Sequence, residues 1–330
     1  MTLREKIGHL YRRFSFGATI ADLDRGEKEG VDKTIERLID YDSVPPGVEP
    51  SPFEFMWREK EEPDLGTYRI RTWWIERMIC SDRPQQEKLA LFWHSYFAVG
   101  DDKVEDGPMM LAYLQTLRSR ANGRFLDLLR AISQDPAMMR YLDMQRSIRG
   151  NPNENFGREV MELFTLGIDG GYTETDVKEV SRALTGWGYV NLFYEMPGNT
   201  ELKVKRWLHE GTPFSSFTLM PAMHDPTPKT VLGKTAPYDG EAVLRLLADH
   251  PSTHRRLALR FWQFYGMESP PEKAIERTAK ALKNGDIKAG LRSVAKAPEF
   301  WSADCVRSLP RSPADFVVGV ARQSGVGAGL

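Results

Sequence analysis

The stretch from Asn151 to Tyr189 reads NPNENFGREVMELFTLGIDGGYTETDVKEVSRALTGWGY. Apolar residues recur in it at helical spacing, and a Gly-Gly pair interrupts the pattern near its middle. The stretch therefore predicts two helices joined by a tight turn. No other segment places so many polar side chains so close to apolar helix faces. We expect the fold, and any functional site, to be organised around this helical hairpin.

The chain on either side of this hairpin shows mostly the same helical periodicity. Segments with apolar residues three and four apart occur from residue 2 to 143 and again from 240 to 323. Residues 188–233 differ, since they are rich in Gly, Pro and aromatic residues. There, the two runs FTLM (217–220) and KTVL (229–232) flank a turn-like HDPTP, which predicts a small antiparallel hairpin with Tyr189-Val190 alongside.

These patterns predict a mainly α, multi-helix single globular domain with a small antiparallel β hairpin or ribbon around residues 189–233. Within that domain we expect a helical part over 1–187, a β-containing insertion over 188–235 and C-terminal helices over 236–330. A chain of 330 residues is long enough to bury a sizeable core in this way.

Composition argues against two classes of partner. The net charge is −1 and the basic residues are scattered, so nothing predicts a nucleic-acid-binding surface. No apolar run approaches the roughly 20 residues that span a bilayer, so membrane insertion is not expected. The N-terminus shows no export signal, which favours a cytoplasmic location, or an exported one if the chain has been trimmed. A protein partner is possible, although the sequence does not identify one.

Glu159 is the principal candidate for a catalytic residue. On a helix from Glu154 to Leu166 it falls at the margin of the apolar arc, whereas Glu154, Arg158 and Glu162 form an i,i+4 charge ladder on the opposite side. A carboxylate in that position needs a partner, or its pKa rises. An ion pair with Arg182 explains it structurally; a catalytic or metal-binding carboxylate is the alternative.

Other polar residues of the hairpin have structural explanations. Asn153 and Asn155 stand at a helix entrance, where asparagine suits the N-cap. The DGGYTETD segment over 169–176 resembles the second half of a calcium loop, but a turn followed by a Thr173/Asp176 capping box explains the same residues.

Two histidines complete the candidate set. His94 lies on an almost wholly apolar helix between Ala90 and Ala98, where it is either a hydrogen-bonded core residue or a ligand. His224 precedes Asp225 at the turn of the predicted hairpin, as a His/Asp pair or as part of an Asx-type turn. Together with Glu159 and Glu162 the histidines are a conceivable metal set, but their spacing matches no metal signature. Cofactors therefore stay unknown.

A set of short motifs extends over nearly the whole chain: RRFSFGAT (12–19), LFWHSYF (91–97), NEN (153–155) with Arg158-Glu159, TLG (165–167) through Tyr172-Thr173, ALTGW (183–187), HDP (224–226) and KTVLG (229–233). In these segments the chain resembles the bacterial DUF1800 family of uncharacterised proteins. The resemblance implies a mostly helical fold and no agreed activity. Many relatives carry a second histidine where this chain has Tyr96, which weakens a metal site on that segment, and many look longer and exported.

Three functions follow as hypotheses. The first is an enzyme, with hydrolysis as the reaction class, whose site is built from the 151–189 hairpin, the His94 helix and the His224 turn. Its catalytic candidates are Glu159, His94, His224, Arg182 and Asp225. The second is a non-enzymatic scaffold or assembly partner in which these residues form a structural network. The third is a carbohydrate- or peptide-binding module that uses Trp187, Tyr189, Trp207 and Phe217.

Overall fold

The protein is predominantly helical in the computed structural model, which describes residues 1–47, 51–52, 55, 66–193, 196–210 and 214–325. The α-helices of these residues are α1 Leu3–Phe14, α2 Ile20–Glu29, α3 Val31–Ile39, α4 Thr67–Cys80, α5 Pro84–Tyr96, α6 Asp101–Val104, α7 Gly107–Arg120, α8 Phe125–Ser133, α9 Pro136–Tyr141, α10 Glu154–Glu159, α11 Glu174–Ala183, α12 Thr200–Glu210, α13 Gly240–Ala248, α14 Pro251–Phe261, α15 Glu272–Ala281, α16 Ile287–Ala295 and α17 Pro313–Ser324. The predicted fold class, mainly α with a small β component, is confirmed.

Two helices continue into π-turns, which are wider than α-helical turns. The turn π1, Val160–Phe164, follows α10, and the turn π2, Trp262–Gly266, follows α14. The predicted helix from Glu154 to Leu166 is therefore only partly α-helical. Single π-turns inserted in α-helices occur frequently at functional sites.

The strands form two separate pairs. Strand β1, Trp187–Asn191, pairs antiparallel with β2, Ser215–Leu219, and β3, Lys229–Val231, pairs antiparallel with β4, Lys234–Ala236. The predicted pairing of residues 217–220 with 229–232 is wrong.

The cause of that error is a short turn within β3–β4. Leu232 and Gly233 connect the two strands, and their φ angles of 51° and 74° are those of a type I′ turn. The Leu232 N–H donates a hydrogen bond to Asp176 Oδ1 at 2.6 Å, which anchors the turn to α11. Leucine rarely occupies this left-handed conformation, so the glycine is the one turn-forming residue of the pair.

The main hydrophobic core is continuous from Ile7 near the N-terminus to Cys305 near the C-terminus. A smaller cluster of Phe16, Met78 and Val318 attaches α17 to α4 and to the end of α1. A Cβ at Gly319 would lie 2.5 Å from the Phe16 carbonyl oxygen, so only glycine allows α17 to approach this closely.

The division of the chain at residues 188 and 235 stays a prediction. No helix in the described part of the chain is long and apolar enough to cross a bilayer.

Candidate functional site

Glu159 ends α10, immediately before π1, and is half-buried. Its carboxylate makes no hydrogen bond or salt bridge with any residue that the structure describes. Burial raises the pKa of Glu159, and the nearby charge of Glu162 raises it further. The predicted ion pair between Glu159 and Arg182 is therefore wrong, whereas the predicted rise in the pKa of an unpaired carboxylate has the expected direction.

Arg182 instead fixes the segment that precedes β3. Its Nε donates to Asp225 at 2.9 Å and its Nη1 to Glu179 at 2.7 Å. Hydrogen bonds from Thr227 and the Arg182 charge hold the pKa of Asp225 below its usual range, although burial acts in the opposite direction. Glu179 also accepts the Thr230 N–H at 2.9 Å. These contacts dock the β3–β4 ribbon on α11, and they explain the polar residues of this region structurally.

His224 and Asp225 form no pair with each other in the hydrogen bonds of the described residues. The His224 Nδ1 lies 2.9 Å from the Thr185 carbonyl, so Nδ1 carries the proton. Asp225 Oδ1 accepts the backbone N–H of Thr227 at 3.0 Å, the Asx-turn arrangement that was the alternative prediction. At Gly186, φ is +80° and a Cβ would lie 2.9 Å from the His224 nitrogen, which explains the glycine of the ALTGW motif.

His94 lies apart from these residues, among aromatic rings. Its ring centroid is 5.4 Å from that of Trp74 and 6.1 Å from that of Tyr113, and it has no hydrogen-bond partner in the described part of the chain. Burial lowers the pKa of His94. Among described residues, no group of three or more His, Cys, Asp or Glu side chains could hold a metal ion. The conceivable set of His94, Glu159, Glu162 and His224 is thus not brought together.

The remaining polar residues of the hairpin act as predicted. Asn153 caps α10 by accepting the Asn155 N–H, and its amide donates to the carbonyls of Leu142 and Asp143. Thr173 and Asp176 form the predicted capping box of α11.

The predicted charge ladder is also present. Arg158 lies 3.8 Å from Glu154 and 3.5 Å from Glu162, and it pairs more closely with Glu174 at 2.7 Å. The ladder and the capping residues therefore stabilise the hairpin.

The aromatic residues of the binding-module hypothesis do not form one exposed platform. Trp187 is only 4% exposed and packs edge-on against Phe217, with ring centroids 5.2 Å apart. Trp207 packs elsewhere, 4.5 Å from Phe214. A buried ring such as Trp187 offers no free face on which a sugar or a peptide could stack.

A cavity of about 720 Å³ lies away from the hairpin, at the end of α1. Its walls come from α1, α5, the end of α14 with π2, and the segment that leads into α17 together with the first turn of α17. Six cationic and two acidic side chains line it. The lining residues are Arg12, Arg13, Phe16, Lys88, Arg260, Gln263, Phe264, Glu268, Arg307, Leu309, Pro310, Arg311, Ser312 and Asp315. We call this space the basic cavity.

Long-range contacts assemble the basic cavity. Arg13 is 8% exposed, and its guanidinium donates to the Cys305 carbonyl at 2.6 Å and to the Ser308 hydroxyl at 3.2 Å. Lys88 is 4% exposed and pairs with Asp315, which belongs to the N-terminal capping motif of α17. These two contacts join α1 and α5 to the C-terminal segment.

Three arginines of the basic cavity, Arg12, Arg307 and Arg311, make no hydrogen bond or salt bridge with the part of the chain that the structure describes. Burial lowers the pKa of Arg12, and the positive charges of Arg307, Arg13 and Arg311 lower it further. The acidic side chains of the same lining are Glu268 and Asp315, and Asp315 is paired with Lys88. The arginines of the cavity therefore repel one another.

The sequence contained little signal for the basic cavity. Its cationic residues are spread over the sequence from position 12 to position 311. The net charge of −1 for the whole chain therefore does not reveal that positive side chains outnumber negative ones in this cavity. The RRFSFGAT segment carries a family resemblance but no charge pattern that indicates a cavity. The positions of Arg307 and Arg311 around Leu309-Pro310, in the last turns before α17, would have been the one further indication.

These features define a mainly α-helical protein with an arginine-lined cavity and with a π-turn in that cavity's wall. The chain belongs to the family described as "Protein of unknown function (DUF1800)", whose model matches residues 9–328. No curated protein and no solved structure matches the chain.

Proposed function

We propose that this protein binds a multiply charged anion of the phosphate type in the basic cavity. The observation that carries the proposal is that Arg12, Arg307 and Arg311 lie on the walls of one cavity and form no hydrogen bond or salt bridge with a described residue. The volume lies within the range of about 300–1,000 Å³ that is usual for small-molecule sites. Guanidinium groups bind phosphate oxygens through paired, charge-assisted hydrogen bonds.

Phosphate suits this cavity better than a single carboxylate. A phosphate dianion presents oxygens in several directions and can accept hydrogen bonds from several guanidinium groups together, whereas a carboxylate has two oxygens in one plane. Its greater charge also offsets more of the repulsion among the arginines.

Calorimetric titration with inorganic phosphate and pyrophosphate tests the proposal. We expect saturable binding to the wild type, and at least about tenfold weaker binding after Arg12→Gln or Arg307→Gln, because each removes charge-assisted hydrogen bonds. Arg120→Gln is the matched control, since Arg120 is an exposed arginine of α7 outside the cavity. Equal losses in all three variants, or no binding to the wild type, would overturn the proposal.

The pH dependence gives a second test of the same function. The second pKa of a phosphate monoester such as methyl phosphate is about 6, so its dianion predominates above that pH, while guanidinium groups in proteins stay charged. We expect the affinity for methyl phosphate to rise between about pH 5 and 7. Sulfate is a dianion throughout this range, and its affinity should stay nearly constant; a parallel rise for sulfate would point to titration of the protein instead.

A hydrolase with Glu159 as general base is a second candidate function. The unpaired, half-buried carboxylate beside π1 and the raised pKa of Glu159 favour it. A screen of ester and amide substrates should then give an activity that Glu159→Gln abolishes and Glu154→Gln, an outward-facing residue of the same helix, leaves intact. Activity that survives Glu159→Gln would contradict this role.

The scaffold hypothesis is supported by the structural contacts of Arg182, His224 and Asp225.

A further inference from the structure

The buried charged groups of the basic cavity have partners within the protein, whereas its exposed arginines do not among the described residues. Lys88 lies deep in the structure, where Asp315 neutralises it and where its Nζ stands 5.2 Å from the ring centroid of Phe16 and 5.1 Å from that of Phe264. Arg13, also buried, donates to the Cys305 carbonyl and the Ser308 hydroxyl. Arg307 and Arg311, by contrast, are exposed. The guanidinium groups that are open to a ligand are therefore at the mouth of the cavity, and the interior combines these partnered groups with aromatic rings.

The wall around this interior is partly apolar. Phe264 of π2 and Leu309 of the C-terminal segment are both partly exposed at the cavity, and Pro310 adjoins Leu309. Phe264 is held in place by edge-on packing against Phe92 and Tyr265, with ring centroids 5.2 Å and 4.9 Å away. The π-turn thus presents a supported aromatic ring to the cavity rather than a flexible side chain.

A free phosphate ion would leave most of this space empty. The cavity measures about 720 Å³, whereas a water molecule occupies about 30 Å³ of liquid volume and a phosphate ion only a few times that. Apolar walls in a cavity of this size stabilise a ligand that covers them, because burial removes apolar surface from water.

Resting on the proposed function, we infer that the natural ligand is a small organic phosphate whose uncharged ring or chain enters the cavity. Its phosphate group then lies at the rim among Arg12, Arg307 and Arg311. The uncharged part packs against Phe264 and Leu309, above the Lys88–Asp315 pair.

Calorimetry with three probes on the full chain tests this inference: inorganic phosphate, phenyl phosphate and phenol. We expect phenyl phosphate to bind at least about tenfold more tightly than phosphate and with a more negative heat-capacity change, because it adds apolar burial. Phenol, which lacks the anion, should bind much more weakly than phenyl phosphate. Equal affinities for phosphate and phenyl phosphate would overturn the inference and leave the proposed function standing; binding of neither would overturn both.

Two substitutions locate the effect in the cavity. Phe264→Ala should remove the advantage of phenyl phosphate and keep the affinity for phosphate. Leu309→Ala tests the same wall from a surface segment, in case Phe264→Ala impairs folding. An unchanged advantage in Leu309→Ala and in folded Phe264→Ala would overturn the inference.

A phospholipid headgroup offers similar chemistry, and a vesicle experiment separates that source. Sedimentation with phosphatidylcholine vesicles, with and without phosphatidylglycerol, should leave the protein in the supernatant in both cases. Sedimentation only with phosphatidylglycerol, without binding of phenyl phosphate, would overturn a free small-molecule ligand.

Discussion

At the scale of single residues, Arg12 combines an unfavourable position with an accessible charge. It is half-buried and has three arginines nearby, and no acidic side chain among the described residues forms a salt bridge with it. Groups of this kind cost stability and are characteristic of binding sites, because the ligand supplies the missing interaction.

Arg12→Gln should therefore raise the free energy of unfolding of the ligand-free protein while it weakens phosphate binding. The gain at low salt should be about 0.5 kcal/mol and should shrink as salt screens the repulsion. Chemical denaturation at low and high ionic strength measures it. Arg120→Gln provides the baseline, and destabilisation by Arg12→Gln alone would indicate that Arg12 has a structural role.

Asp135 makes a second residue-scale prediction, on stability. It is 5% exposed at the N-cap of α9, and burial raises its pKa to about 7, with hydrogen bonds from Ala137 and Thr116 acting against the rise. The raised pKa means that the folded state holds the proton longer than the unfolded state. The contribution of Asp135 to stability therefore falls as the pH rises from about 4 to about 7.

Asp135→Asn keeps a capping oxygen and should remove this pH dependence. The variant should match the wild type near pH 4 and be more stable than it near pH 8. Thermal unfolding across this range checks the prediction, with Asp32→Asn, an exposed aspartate of α3, as the control for loss of a charge. A constant difference between Asp135→Asn and the wild type at all pH values would contradict it.

At the scale of elements, three carbonyl groups of π1 accept hydrogen bonds from side chains, two of which come from distant parts of the chain. The Thr165 hydroxyl donates to the Val160 carbonyl at 2.5 Å, Arg256 Nε to the Leu163 carbonyl at 3.0 Å, and the Tyr96 hydroxyl to the Phe164 carbonyl at 3.1 Å. Tyr96 thus has a structural role here. Such a turn cannot be predicted from periodicity, since its hydrogen bonds to Arg256 and Tyr96 are set by tertiary contacts.

Tyr96→Phe should destabilise the protein by about 1–3 kcal/mol, because it leaves the buried Phe164 carbonyl without its donor. Amide exchange should increase first in residues 160–167. Tyr141→Phe is the matched control, because the Tyr141 hydroxyl has no hydrogen-bond partner among described residues. Equal effects of the two substitutions would show that this hydrogen bond does not stabilise π1.

The elements that depend on neighbouring residues could be predicted from the sequence, and those that depend on distant residues could not. The helices, the Asn153 cap and the Thr173/Asp176 capping box depend on neighbours within a few residues, so local patterns predicted them. The partner of Arg182 could not be predicted, since Asp225 is 43 residues away and is oriented by the turn at Thr227. Likewise, the partner of β2 is β1 rather than β3 because Leu232-Gly233 returns the chain early.

At the scale of the whole molecule, the basic cavity is where chain ends that are distant in sequence meet. Residues 12–16 and 307–315 face each other across it, and the Lys88–Asp315 and Arg13–Cys305 contacts join them. Polar networks at the Asn151–Tyr189 hairpin stabilise the fold, whereas Arg12, Arg13, Arg307 and Arg311 of the cavity repel one another. This contrast supports the proposal that an anion binds in the cavity.

Crystals grown without phosphate or sulfate and soaked in sodium tungstate test this assignment most directly, because tungstate is a tetrahedral dianion with strong anomalous scattering. We expect the highest anomalous peak within hydrogen-bonding distance of the Arg12 guanidinium and near Arg307 and Arg311, and its loss in Arg12→Gln crystals. Tungstate peaks confined to other surfaces, with none in the basic cavity, would contradict anion binding there.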